Sequence, residues 1–220
     1  VRITGQLIDA KTDEHLWADI YDRKISDIFK VQSEVAKTIA STLGAELTVS
    51  EEKELASAKE IHPMAYDYYL KSDIGGNSNE DDIEQAIRYL EKALEYEPEY
   101  IEAIIKLANW HGWMYFLGLD RTDLRLAENR KYLDMAKSIA PDEPLVFQAE
   151  GTYYYRMFRD YDKAFELFDK ANLKTADSYA FRAWVLRRLG RWDECIEYIL
   201  KSIELNPKAA GIYRELGGTY

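Results

Sequence analysis

The sequence predicts a mainly α-helical chain: an α-solenoid of antiparallel helix pairs, preceded by a short β-hairpin and one helix. Three observations carry that prediction. Amphipathic segments recur, most of them closing on a proline. The recurrence has a measurable period: Tyr179 and Tyr213, Ala183 and Gly217, and Leu186 and Tyr220 each stand 34 residues apart. The opening residues, by contrast, alternate between apolar and polar types, with a turn in the middle.

The alternating stretch is "VRITGQLIDAKTDEHLWADIYDRKI". It is rich in β-branched and aromatic residues, and "KTDE" interrupts it as a turn, so strands are expected over 1–9 and 15–22. "SDIFKVQSEVAKTIASTLGAEL" follows as an amphipathic helix. Ser26 or Asp27 is placed to cap it, Ile28, Phe29, Val31, Val35, Ile39 and Leu43 form its apolar face, and Gly44 marks a bend or its end. Residues 49–62 read as a charged connector.

From 63 onward the helical pairs begin. "AIRYLEKALEYEPEY", "NRKYLDMAKSIAPDE" and "CIEYILKSIELNPKA" are amphipathic second helices, and "AFELFDKANLKTADS" has the same body without the proline. An aromatic-rich helical stretch precedes each. Small residues (Ala86, Ala93, Ala136, Ala164, Ala171) fall where two helices must cross closely. One such hairpin cannot bury its apolar face alone, whereas stacked neighbours can. The last segment, "AAGIYRELGGTY", reads as a first helix without its second. Two strands and one helix are likewise a thin core at the other end. The expectation is a piece of a longer protein, cut at both ends.

The 34-residue helix–turn–helix unit resembles the tetratricopeptide repeat. The fourth unit carries the resemblance best, with Tyr179, Ala183, Leu186, Gly190, Cys195, Ile199, Ser202 and Pro207 at signature positions. The third follows with one extra residue in its turn: Gly151, Tyr154, Tyr161, Ala164, Phe168 and Ala171. The first two have lengthened turns, "SDIGGNSNEDD" and "LGLDRTDL". About four repeats and the first helix of a fifth are expected over 63–220. The string "QLIDAKTDEHLWADIYDRKISDIFKVQSEVAKTIA" resembles the end of a TolB-like (FlgO-like) α/β domain, covering residues 1–48. In bacterial regulators that domain precedes such repeats. The resemblance implies an attached effector, such as an adenylate/guanylate cyclase, a transcription regulator or a kinase.

Composition narrows the function. The net charge is −11. The acidity concentrates in residues 51–100, with 5 basic against 14 acidic residues, while 151–220 carry 12 basic against 10 acidic. An acidic chain is poorly suited to phosphate-backbone binding, so no nucleic-acid partner is expected. No apolar run reaches the ~18 residues of a membrane span. Cys195 is the sole cysteine, so no intrachain disulfide forms, and a packing role is expected for it. The histidines (His15, His62, His111) are scattered and no nucleotide-loop or hydrolase motif occurs. No metal site, cofactor or enzymatic activity is expected. Asp73, Asn77, Asn79, Asp81 and Glu84 have oxygens at calcium-loop spacing. Ser78 stands where the turn needs glycine and Gly75 where it needs an oxygen, so a polar loop with Asn79 or Ser78 as a helix cap is expected instead.

The repeat resemblance places a partner-binding groove along the first helices. Its candidate lining is Tyr66, Tyr69, Ile105, Asn109, Trp113, Gln148, Tyr155, Arg156, Trp184, Arg187, Arg188 and Arg214. Aromatic and arginine side chains together are the usual anchors of an interface. Arg187, Arg188, Arg191 and Arg214 would favour an acidic partner motif. Repeats that clamp a terminal carboxylate pair Lys with Asn four residues on. Here Asn109 is present but Ile105 replaces the lysine, so that specificity is not carried over. The function expected is a protein–protein interaction or scaffolding module in a signalling protein. A small-molecule sensor and a free-standing adaptor are the alternatives. Self-association through the hairpin or the last helix is expected. The location expected is the cytoplasm, with the periplasmic part of an inner-membrane protein as the alternative.

Overall fold

The computed structural model describes residues 2–23, 28–44, 61–74, 79–208 and 210–218. The chain divides into two compact units, Val1–Asp67 and Tyr68–Tyr220.

In the first unit, strands β1 (Arg2–Ile8) and β2 (His15–Asp22) pair antiparallel, with Ile3 opposite Tyr21 and Leu7 opposite Trp17. Asp9 builds the turn: its carboxylate accepts from the amides of Lys11 (2.7 Å) and Thr12 (3.3 Å). Trp17 and Tyr21 lie on one face with ring centres 6.4 Å apart. Gly5 lies under that indole, where a β-carbon would come within 2.9 Å of the ring. Helix α1 (Ile28–Thr42) follows, with Val31 buried, Val35 and Ile39 half-buried, and Gly44 in the left-handed region just past its end. Leu43, expected on the apolar face, is 60% exposed because the helix has already ended. The expected caps Ser26 and Asp27 and most of the 49–62 connector lie outside the described residues. Helix α2 (Pro63–Lys71) starts in this unit and ends in the next.

The second unit is a succession of helix pairs. After α2 come α3 (Glu80–Tyr96), α4 (Ile101–Leu117), α5 (Asp123–Ile139) and α6 (Pro144–Tyr153). A π-helical turn, Tyr154–Phe158, extends α6. Then come α7 (Tyr161–Ala171), α8 (Ala176–Arg188), α9 (Trp192–Leu205) and α10 (Ala210–Gly217). Helix α4 packs on α5, α6 on α7 and α8 on α9; α4 also touches α6, so one pair is laid against the next.

The sequence explains the crossings. Ala86, Ala93, Ala136, Ala164 and Ala171 are all buried, and the larger Leu90, Leu133 and Phe168 fill the space beside them. Gly151 belongs to the same device: a β-carbon there would meet the Phe168 ring at 2.6 Å and the Ala164 carbonyl at 3.1 Å. Cys195 is buried in the cluster with Ala183, Leu186 and Ile199, where packing was expected. Caps follow local chemistry. Asn79 forms a reciprocal capping box with Asp82, and Asp160 and Thr175 cap α7 and α8. In the calcium-like segment, Asn79 thus caps a helix and Glu84 accepts from Arg125.

The extra residue of the third unit is not in its turn, as expected from sequence. It is absorbed inside the first helix as the π turn Tyr154–Phe158. Arg159 then adopts a left-handed conformation (φ 55°), and its amide closes the turn on the Tyr154 carbonyl.

Candidate functional site

The candidate groove residues lie on the first helices of successive pairs, α2, α4, α6 with its π turn, α8 and α10. Tyr66 is half-buried and belongs to the first unit. Tyr69 belongs to the second, where its ring sits 5.1 Å from Tyr100 and takes the Lys106 ammonium over its face at 4.7 Å. Ile105 is buried at 8% exposure, so it packs in the interior rather than facing a partner. Asn109 and Gln148 are half-buried, and the Gln148 Oε1 is buried with no hydrogen-bond partner among the described residues. Tyr155 packs 5.7 Å from Tyr161. Trp184 stands edge-on to Phe181, which stacks on Phe168. Arg187 is half-buried, and Arg188 and Arg214 are exposed. Arg191, counted with them from sequence, is held by Glu194 through bonds of 2.6 and 2.7 Å.

Two of the candidates are brought together. The Arg156 guanidinium lies over the Trp113 ring at 4.4 Å and over Phe116 at 5.9 Å. Trp113 in turn stacks on Phe116. Arg156 is half-buried, and desolvation pushes its pKa down to about 10. Its cation faces aromatic rings and meets no carboxylate among the described residues.

Beside it opens a cavity of about 270 Å³, lined by Tyr115, Phe116, Arg121, Arg156, Met157 and Arg159. Three arginines thus converge from two places. Arg121 comes from the connection between α4 and α5, and Arg156 and Arg159 from the π turn and its cap. Sequence reasoning found Arg156 through its first-helix position. It missed Arg121 and Arg159, which lie outside the helical periodicity. The extra residue in the third repeat was the available signal.

A second polar cluster is structural. Arg125 donates to Asp120 (2.7 Å) and to Glu84, and lies 3.2 Å from Nδ1 of His111. His111 stacks on Tyr132 at 5.7 Å, and burial lowers its pKa. Arg182, 4% exposed, donates to Asp169 (3.2 Å), to the carbonyls of Phe168, Leu173 and Ser178, and to the Ser178 hydroxyl. It stitches α8 onto α7. Among the described residues no group of three His, Cys, Asp or Glu side chains converges as a metal site, and no helix is long and apolar enough to cross a membrane.

The tetratricopeptide repeat family matches two segments, residues 68–100 and 176–209. These are the α2–α3 and α8–α9 pairs. A Rhizobium meliloti (strain 1021) protein named "Putative adenylate cyclase 3" is 46% identical over 72 residues. That match spans 33% of this chain and 12% of the relative. Among solved structures, a thermophilic tetratricopeptide protein of Thermus thermophilus superposes with a TM-score of 0.57 at 17% identity. It covers 88% of this chain and 98% of that one. Pseudomonas aeruginosa pilF gives 0.51 at 20% identity, covering 71% and 67%. Two of the helix pairs thus match the tetratricopeptide repeat, and the chain has the fold of tetratricopeptide solenoids.

Proposed function

From these repeats we propose that the chain is a protein–protein interaction module, the regulatory region of a bacterial signalling protein of the adenylate/guanylate cyclase kind. One observation carries the binding role: first-helix aromatic and arginine side chains, Trp113, Tyr155, Arg156, Trp184 and Arg188, stay partly or fully exposed after the pairs have packed. Side chains of these types are the common hot spots of interfaces. The groove they line takes an extended peptide or a partner helix, with acidic residues toward Arg187, Arg188 and Arg214. The 72-residue likeness to a protein named as a cyclase supports the signalling context. In this reading residues 1–48 are the end of a TolB-like domain, the module works in the cytoplasm, and the repeats bind without catalysing.

The test is a peptide-library selection against the whole chain, followed by titration of the selected peptide. Trp184→Ala and Arg188→Glu should each weaken it about tenfold or more, equivalent to about 1.4 kcal/mol. Lys92→Ala, on a second helix, should leave it unchanged. Equal loss in all three variants, or in none, would refute a first-helix groove.

A further inference from the structure

We propose that the cavity bounded by Arg121, Arg156 and Arg159 is a phosphate-monoester site. This deepens the groove reading, since Arg156 and Trp113 belong to that groove. It rests on that reading only for the source of the phosphate.

Four other arginines of the repeats find acids, Arg125 with Asp120 and Glu84, Arg130 with Asp134, Arg182 with Asp169 and Arg191 with Glu194, and Arg88 bonds the Gln85 amide oxygen. Among the described residues, the guanidinium groups of Arg121, Arg156 and Arg159 have no ion pair or hydrogen bond. The acids nearest in sequence are engaged elsewhere. Asp120 is taken by Arg125, and Asp160 accepts the amide of Lys163 at 3.0 Å. Three cations share one cavity in a chain whose net charge is −11.

The cavity is a half-open cleft, with Arg156 half-buried at its base and Arg121 and Arg159 exposed at its rim. Arg156 is fixed against Trp113 and Phe116. Arg121 folds back over Gly118, which adopts a left-handed backbone (φ 78°) and, as glycine, has no β-carbon in the way. A β-carbon on Gly118 would crowd the guanidinium at 3.2–3.3 Å. Arg159 is aimed by its own left-handed backbone at the end of the π turn. Inserted π turns and left-handed non-glycine residues concentrate at functional sites.

Size and charge select the ligand. At about 270 Å³ the cavity is below the ~300–1,000 Å³ of sites for drug-sized ligands. It suits one anionic group and the atoms that attach it. A carboxylate would leave two of the three positive charges unanswered. A phosphate monoester carries about −1.5 to −2 and offers three acceptor oxygens to planar guanidinium forks. The Tyr115 and Phe116 side chains give its organic part an apolar wall.

The experiment is calorimetric titration of the whole chain at fixed low salt with inorganic phosphate, phenyl phosphate and benzoate. The expected result is saturable binding of phenyl phosphate, at least about tenfold tighter than benzoate. It should be lost in Arg156→Met and reduced in the double variant Arg121→Gln/Arg159→Gln. Arg156→Met removes an unpaired, desolvated cation, so it should keep its helical spectrum and melt no lower than the parent. That separates lost binding from lost folding. Absence of saturable phosphate binding would overturn the proposal, as would binding unchanged in both variants or benzoate binding equally well. A phosphoserine- or phosphotyrosine-centred peptide that binds at least tenfold tighter than phenyl phosphate assigns the phosphate to a protein partner. Equal affinity for the two assigns it to a free phosphate ester. In that case the site stands and the peptide groove must be judged on the Trp184→Ala titration alone.

Discussion

Gly151 is the position where one carbon atom should matter most. Replacing it with alanine would normally stabilise a helix interior by about 1 kcal/mol, because glycine carries the larger backbone entropy cost. Here the added β-carbon meets Phe168 Cε1 at 2.6 Å, Cδ1 at 2.8 Å and the Ala164 carbonyl oxygen at 3.1 Å. Phe168 is 2% exposed and among the largest fully buried side chains, so its ring has nowhere to go. To reach the 3.4 Å at which ordinary contact begins, the ring must retreat by about 0.8 Å inside a close-packed core. The Ala164 carbonyl is backbone of α7 and moves only with the helix. Overpacking of this kind costs about 1–3 kcal/mol, occasionally more. Two contacts under 3.0 Å against a buried ring put the cost in the upper part of that range, about 2–3 kcal/mol, so the clash outweighs the propensity gain for a net loss of about 1–2 kcal/mol.

The assay is urea unfolding of the parent, Gly151→Ala, Phe168→Leu and the double variant. Helical circular dichroism and tryptophan fluorescence serve as two probes, whose coincidence checks that the repeats unfold together. Phe168→Leu alone should destabilise, since it opens space in a full core. In the double variant that space receives the new methyl, so the two losses should combine to less than their sum by at least about 0.5 kcal/mol. In a thermal melt Gly151→Ala should fall by about 2–8 °C. A Gly151→Ala chain as stable as the parent, or strict additivity in the cycle, would refute the steric account.

Three further outcomes are expected. Arg182→Met fills similar volume but takes the guanidinium donor from the Leu173 carbonyl and the Ser178 hydroxyl, and leaves the Phe168 carbonyl with the Asn172 amide alone; unfolding should show a loss of about 1–3 kcal/mol, and a neutral result would mean water replaces the guanidinium. Burial lowers the pKa of His111, so the unfolded chain binds its proton more tightly than the folded one. Stability held above about pH 6.5 should drop as pH falls through that value, and the drop should be smaller in His111→Gln. Asn79→Ala removes the capping box of α3 and should cost about 1 kcal/mol, recovered in large part by Asn79→Ser; equal loss in both would show that the side-chain cap is not the cause.

Much of the scaffold was legible because it is local or periodic. The hairpin appears over Arg2–Ile8 and His15–Asp22, as alternation and "KTDE" imply. The buried alanines are those at the three- and four-residue spacing of the helices. The misreadings have physical causes. Leu43 continues the helical spacing of α1, but periodicity does not register the end of the helix at Thr42. The inserted residue of the third repeat was visible in the count from Gly151 to Ala164. Its position was not, because a π turn and a longer loop lengthen a repeat equally. Arg182 sits in helical register like any surface arginine, and only the folded chain shows three carbonyls turned toward it.

The arginines show why composition cannot locate a binding site. Counting charges points to the C-terminal half, where Arg187, Arg188, Arg191 and Arg214 give a local excess of positive charge. What governs attraction for a ligand is whether a cation already has an anion, and that is set by folding. Arg191 meets Glu194 one helical turn on, a surface pair worth little to stability but enough to occupy its donors. Arg121 and Arg156 are distant in the chain. The α4–α5 connection and the π turn bring them to one cavity, while their neighbouring acids Asp120 and Asp160 are turned to other tasks. An insertion that would ordinarily be pushed into a loop is retained inside a helix, and the helix presents Arg156 half-buried on Trp113. A desolvated cation without a counter-ion costs folding energy. Apolar burial in the stacked pairs on either side opposes that cost, and in the proposed site an arriving phosphate would relieve it.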